Sequence, residues 1–557
     1  MSFLKRPDGA FVALRAAGPF SFLRRHRGFL LVLVLAAPLT FAFAWQAVIA
    51  TVGDDSVSYL VLAHYFRGGA DNPYVAQWAS YHAHFPPLFP LLLAASGGAV
   101  DLRIAYALVA ALAVLALPLI YRYASLQLGR DSAGLAIVVL FLLTPTAWIS
   151  LKGILSESLY LVLAMASVLW YETRLADGRT RPIAALAFGV LLACAYLTRV
   201  AGLALILAYA VHVGLRLAAH RQRPSWSLLL PWVPVVVLLG LWYGLRPRPD
   251  VDAYRRTVQS MIGTWIADPA TMLRASVEYS FSGWIATLAA QQDVSMAPKI
   301  VFGLLGLAGL AGAVLRAARN RLDGWFILFS VAMVTPWVFT PNNTRRLLYP
   351  LVALLFVCAA DFVRFLCERW KLEGRRRTQL FVALAAFPVA LFLPALSLIA
   401  QKSLDRAPVL EGQLYAFRDI TDYYTTINLE VARGLAETQV TTLAGLESIR
   451  TVTPPGSKVM WMRPEYVALL GRRPAEPFYY AWSPREVAEA VRRSGSDYIV
   501  VSRIFKTDLA GVDGDPLVTL KGVLDYSRPA LRFGNDFFVL MKVDREALEA
   551  FLARRAQ

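Results

Sequence analysis

Cysteine is scarce in this chain: there are three, Cys194, Cys358 and Cys367, in 557 residues. All lie in or at the ends of apolar runs, and none has metal-ligand spacing, so neither a disulfide nor a thiolate metal site is expected. Charge is scarce as well. Only 17% of residues are charged against 57% hydrophobic, and the mean hydropathy is +0.51. A soluble protein of this length needs far more polar surface to cover its core. The short alternating segments of an outer-membrane barrel are missing. So are a Gly-rich nucleotide loop and the paired halves common among transporters.

What is present is one long apolar run after another through the first 400 residues. Lipid leaves open backbone unpartnered, so such runs must be helices. The pattern predicts spans at 28–50, 104–121, 133–150, 155–171, 183–199, 201–216, 227–245, 299–316, 324–340, 347–365 and 379–400, eleven in all. The net charge is +18, and its Arg clusters fall in alternate connections, beginning with Arg24, Arg25 and Arg27 before the first span. That is the positive-inside pattern, not a nucleic-acid footprint. No nucleic-acid partner is expected. Residues 1–27 are assigned to the cytoplasm. The first run is longer than the roughly 7–15 apolar residues of a signal peptide, so it is expected to stay as a helix.

The transmembrane part therefore covers 28–400, with a first outer loop at 51–101 and a long, charge-mixed outer loop at 246–298. In the first loop a helix is expected from Ser56 to Phe66, ended by Gly68-Gly69, with a short apolar piece from Leu88 to Ala95. Beyond 400 the composition changes. An amphipathic helix through Tyr423 to Leu443 precedes strands at 458–462, 497–502 and 537–543, interleaved with helices at 464–470, 484–493 and 544–553. Residues 401–557 are thus expected to form a small extracytoplasmic α/β domain.

Ionisable groups gather where the outer ends of these spans should lie. Asp54-Asp55 follows the first span. One Asp would suffice to cap a helix, whereas two adjacent carboxylates repel and separate in pKa, which suits a proton acceptor or a metal ligand. Glu157 opens a span after Ser156, at a depth where a carboxylate is costly unless it faces a polar cavity or pairs with a base. Arg199 ends another span, and Arg345-Arg346 opens a late one. Such guanidiniums either snorkel to lipid headgroups or grip a phosphate bidentately. His82 and His84 bracket Ala83, so on a strand they would face one way, as acid/base groups or metal ligands. A divalent ion held by Asp54, His82 and His84 is therefore one expectation. Tyr59, Tyr65, Trp78 and Tyr81 form either an interfacial belt or a sugar-stacking wall.

Together these residues suit a reaction on a lipid-linked phosphate donor. A carboxylate would take the proton of an acceptor hydroxyl, and guanidiniums would meet the charge on the departing phosphate.

At these positions the chain resembles the GT-C glycosyltransferases, most closely the bacterial branch with the lipid A aminoarabinose transferases, the Rgt-type lipopolysaccharide transferases and relatives of the protein O-mannosyltransferases (families 39 and 83). The resemblance rests on the acidic pair, the His84-Phe85-Pro86-Pro87-Leu88 motif, Ser156-Glu157, Thr198-Arg199 and Arg346-Leu347-Leu348-Tyr349-Pro350. It implies a polytopic α-helical membrane enzyme using a polyprenyl-phosphate sugar and a cell-envelope acceptor, with inversion at the anomeric carbon. It implies a bacterial inner-membrane location with the C-terminal domain in the periplasm. The Tyr59 and Ala63 register implies Asp55 as the base, with Asp54 as helper. Glu157, Arg199, Arg345, Arg346, His84 and Tyr59 are implied in substrate binding. Where the family carries an acidic residue after that Asp, this chain has Ser56. A transporter or flippase, and an assembly protein acting through its tail, are the competing readings.

Overall fold

The computed structural model describes residues 19–45, 54–176, 181–220, 226–246, 253–290, 294–372, 374–404, 424, 428–478, 482–502, 522–533 and 538–554. Among the described residues the membrane part has helices and no strands. Its principal helices are α1 (Pro19–Trp45), α2 (Asp54–Phe66), α3 (Leu88–Ser96), α4 (Leu102–Leu128), α5 (Asp131–Leu143), α6 (Glu157–Trp170), α7 (Pro182–Thr198) and α8 (Leu203–His220). These are followed by α9 (Trp232–Leu245), α10 (Ala253–Ala267), α11 (Pro269–Ala289), α12 (Met296–Ala318), α13 (Leu322–Val334), α14 (Pro341–Leu348), α15 (Val352–Arg369) and α16 (Gly374–Leu404).

Each of the eleven expected spans overlaps helix among the described residues. Among the described residues, seven helices are long and apolar enough to cross a bilayer, and the pair Asp131–Leu143 and Pro145–Lys152, bent by 65°, passes the same test only when taken together, as a broken span or a re-entrant loop. Pro145 explains the bend, since it begins the second helix and cannot continue the first. Two further apolar helices, Pro182–Thr198 and Leu322–Trp337, are shorter. Prolines inside α1, α4 and α16 are tolerated as they are in other membrane helices. Where water does not drive association, close backbone approach does. The pair α12 and α15 shows it: a Cβ on Gly312 would stand 2.0 Å from the Cys358 carbonyl oxygen.

The described residues of the expected outer loop 246–298 are largely helical. They form α10 and α11, and the last turns of α11, Gly283 to Ala289, are buried. Asp268 caps α11 through the Thr271 amide at 3.0 Å.

A knot of charge closes one end of the bundle. The fully buried Arg316 of α12 binds Asp323 of α13 at 2.6 Å and Asp361 of α15 at 2.8 Å. It also donates to Gln127 of α4 at 2.6 Å, and Tyr123 donates to Asp323. Four helices are tied by ions that satisfy one another, which lowers the cost of burying them.

In the C-terminal part α17 (Leu429–Val452) covers most of the amphipathic run expected at 423–443, of which 423 and 425–427 lie outside the described residues. A five-stranded sheet follows: β1 (Val459–Trp461), β2 (Ala475–Pro477), β3 (Tyr498–Ser502), β4 (Ser527–Phe533) and β5 (Phe538–Val543). Its order is β2-β1-β3-β5-β4. Strand β1 runs parallel to β2 and β3, with Val459 opposite Ala475 and Tyr498. Strand β5 runs antiparallel to β3 and β4. Helices α18 (Pro484–Ser494) and α19 (Arg545–Arg554) pack against each other. A capping box of Ser483 and Glu486 starts α18, and Gly495 ends it. Strands β2 and β4 escape the sequence pattern because β2 is three residues ending in Pro477 and β4 is irregular at Pro529. This domain touches the α2–α3 connection, where the Asn72 amide donates to the Ala468 carbonyl at 2.9 Å.

Candidate active site

The ionisable residues separated by up to 291 positions in sequence converge at the opposite end of the bundle from the Arg316 knot. Arg346 and Asp361 lie on one continuous helical run, Asn343–Arg369. The helical rise puts about 22 Å between them.

Four charges form the centre. Arg346 donates through Nη2 to Asp55 at 2.5 Å and through Nε to Glu157 Oε1 at 2.9 Å. Arg199 Nη1 reaches the same Glu157 oxygen at 2.9 Å. Two carboxylates and two guanidiniums thus alternate in a line, Asp55–Arg346–Glu157–Arg199. Glu157 is 2% exposed and Arg199 14%, whereas Asp55 is 32% and Arg346 25% exposed. The cluster therefore has a buried side and an open side. Glu157 Oε2 is buried and, among the described residues, accepts no hydrogen bond.

Local structure places each of them. Asp55 is in the first turn of α2, which ends where Gly68 and Gly69 take positive φ. Glu157 opens α6. Arg199 is the extended C-cap of α7, and its turn is pinned when Tyr160 of α6 donates to Ala201 at 3.1 Å. Arg346 sits on α14, which is set by its crossing with α11. A Cβ on Gly283 would lie 2.3 Å from Thr344 Cγ2, so only glycine permits this approach.

Tyr59, one turn after Asp55, packs edge-on against Phe85 and Phe89, with ring centres 5.2 and 5.1 Å away. Its hydroxyl shares a 2.7 Å hydrogen bond with Ser156 Oγ, which also accepts from Arg199 at 3.3 Å. Ser156, at the N-cap position of α6, makes no capping bond and joins Tyr59 to Arg199. Its signal in the sequence was only its place beside Glu157.

The histidines also differ from expectation. His82 and His84 lie in a turn, not on a strand, with ring centres 6.5 Å apart and planes tilted by 40°. The restrictions imposed by Pro86 and Pro87 favour this compact entry to α3. His84 is near enough to act on Asp55 electrostatically. Burial of Asp55 pushes its pKa up, but Arg346, then Arg199 and His84, outweigh this and hold the carboxyl below its usual range. Burial and His84 push His82 down to about 3, against a smaller pull from Asp55. Arg345 is buried beside Arg346 in the chain. Asp54 begins α2, and its side chain lies outside the described residues.

The described residues do not fit a divalent ion. No group of three His, Cys, Asp or Glu gathers among them. Asp55 and Glu157 are already on guanidiniums, so a cation between them would face two like charges. Of the expected metal ligands, His82 and His84 have no described carboxylate completing a shell.

Comparison with known proteins gives the fold. No protein-family model matches the chain, and no curated protein matches it. Among solved structures it is similar to ArnT from Cupriavidus metallidurans bound to undecaprenyl phosphate. The identity is 12% and the TM-score 0.50, over 93% of this chain and 99% of that one. The chain has the GT-C fold. It is similar also to the oligosaccharyltransferase AglB from Archaeoglobus fulgidus, in complex with an inhibitory peptide and a dolichol-phosphate, at 14% identity and TM-score 0.48 over 94% of this chain and 75% of that one. In this GT-C protein the ionic cluster joins the first helix after α1 to the starts or ends of α6, α7 and α14, so one site draws on nearly the whole membrane part.

Proposed function

We propose that this protein is an inverting glycosyltransferase that moves a sugar from a polyprenyl phosphate to a cell-envelope acceptor. Its site would face the periplasm of a bacterial inner membrane, on the side of the C-terminal domain. The observation that carries this reading is the Asp55–Arg346–Glu157–Arg199 cluster, with a carboxylate and a guanidinium on its open side. A GT-C fold whose similar structures include one bound to undecaprenyl phosphate agrees with it.

In this mechanism the acceptor hydroxyl gives its proton to Asp55 as its oxygen bonds to the anomeric carbon. The bond from that carbon to the phosphate oxygen breaks, and its electron pair leaves on the phosphate. Arg346 and Arg199 meet the charge that develops, in surroundings where such contacts are worth more than in water. Glu157 holds both guanidiniums in place. We assign His84, close enough to act on Asp55 electrostatically, and the buried Arg345 to substrate binding, with Tyr59 supporting the sugar side through the Ser156 bridge.

The test is mass spectrometry of envelope glycans and glycolipids from cells with and without the gene, complemented by wild type or Asp55→Asn. Loss of one glycan, restored by wild type and not by folded Asp55→Asn, is expected. Rates of general-base variants fall by roughly 10²–10⁴-fold. Full restoration by the variant removes Asp55 as the base.

A further inference from the structure

The cluster holds a contradiction that the proposed reaction must resolve. Asp55 is to act as a base, yet its described hydrogen bond is spent on Arg346 at 2.5 Å. Arg346 is to grip a phosphate, yet it is held by two carboxylates. Resting on the reading above, we infer that Asp55 and the donor's phosphate compete for Arg346, so that arrival of the donor releases the base.

The geometry says which contact yields. Arg346 uses one edge of its guanidinium, Nε to Glu157 and Nη2 to Asp55. Among the described residues Nη1 has no partner, and the side chain is 25% exposed. The Nη1–Nη2 edge therefore remains for a bidentate phosphate contact, the geometry guanidinium favours. A phosphate there shares Nη2 with Asp55, and two anions on one nitrogen weaken each other's hold.

Glu157 is the poorer candidate to let go. It is 2% exposed and anchored by Arg199 as well as Arg346. Releasing it would leave a buried carboxylate, one oxygen of which already lacks a partner among the described residues, on Arg199 alone, the costlier outcome. Asp55 is 32% exposed and can turn to solvent or to an acceptor hydroxyl. The present pairing also holds Asp55 ionised and weakly basic. Weakening that pairing strengthens the base at the moment a sugar is in place. Without donor the two carboxylates and two guanidiniums hold one another through three ion pairs. With donor, Glu157 and Arg199 keep Arg346 aimed while Asp55 becomes free to take the proton.

The experiment is a titration of undecaprenyl phosphate into the purified full-length protein in detergent, followed by intrinsic fluorescence. Wild type, Asp55→Asn, Arg346→Gln and the double variant are compared after size exclusion confirms folding. Competition predicts that Asp55→Asn binds roughly threefold to thirtyfold more tightly than wild type, the range expected for coupled neighbours. Arg346→Gln binds more weakly, and in that background the gain from Asp55→Asn shrinks to within about twofold. Asp55→Ala repeats the charge removal should the asparagine variant aggregate. Unchanged or weaker binding by the Asp55 variants overturns the competition, as does a gain that persists undiminished without Arg346. If wild type itself does not bind undecaprenyl phosphate, the lipid-phosphate reading fails and the inference with it. Wild-type binding with an unmoved Asp55 variant sinks the inference alone.

Discussion

At the residue scale, Ser156 joins two parts of the site that charge alone would not align. Its Oγ links the Tyr59 hydroxyl at 2.7 Å and Arg199 at 3.3 Å. In Ser156→Ala the buried Tyr59 hydroxyl loses its partner, a cost of about 1–3 kcal/mol. A lowered thermal midpoint is expected, together with reduced turnover, because Arg199 loses an alignment contact. Unchanged melting and turnover would show that the bridge positions nothing. His82 gives a pH signature. Its folded pKa of about 3 lies below the ordinary histidine value because burial and His84 oppose the charged form. Between those values the unfolded chain binds a proton that the folded one does not. Stability contributed by neutral His82 is thus complete above about pH 6.5 and falls as pH drops toward the folded pKa, by up to about 1.4 kcal/mol per pH unit. The melting midpoint of wild type should fall more steeply from pH 6.5 to pH 4 than that of His82→Gln. Parallel curves would contradict this.

At the scale of elements, the crossing of α11 and α14 decides where Arg346 points. Gly283→Ala would press a methyl group into Thr344. Overpacking of this kind costs about 1–3 kcal/mol, and here the displaced element carries the guanidinium. Weaker undecaprenyl phosphate binding and a lower melting midpoint are expected together, whereas a variant with both unchanged would show that α14 is placed by other contacts. The sequence makes the spans legible because lipid demands long apolar helices, and it makes the charged candidates legible because charges at span ends need a reason. The pairing pattern was not legible. Nothing in Ser156-Glu157 announces that one carboxylate oxygen will take both Arg199 and Arg346, since the three residues come from separate helices. Helices α10 and α11 were hidden because their charges mix with apolar residues, and only the end of α11 is buried. The histidine pair misled because an alternation of two fits a strand, while the neighbouring prolines favour a turn.

At the scale of the molecule, two ionic clusters lie near opposite ends of one bundle and do different work. The Arg316 knot is saturated, with Asp323, Asp361 and Gln127 all on one guanidinium. Arg316→Ala removes the shared partner of two buried carboxylates, leaving Asp361 to Arg364 and Asp323 to Tyr123, and should cost roughly 3–5 kcal/mol. Loss of folded protein is expected there. The site cluster is open on one side and can exchange partners. The central claim is that Asp55 and Arg346 work on a polyprenyl-phosphate sugar. It is tested most directly by incubating the purified protein with a lipid extract containing such donors and a cell-envelope fraction, and following released polyprenyl phosphate by mass spectrometry. Release by wild type, with loss in folded Asp55→Asn and Arg346→Gln, is the result this account predicts. Equal release by those variants would contradict it, and so would sugar flux across proteoliposomes with no polyprenyl phosphate released.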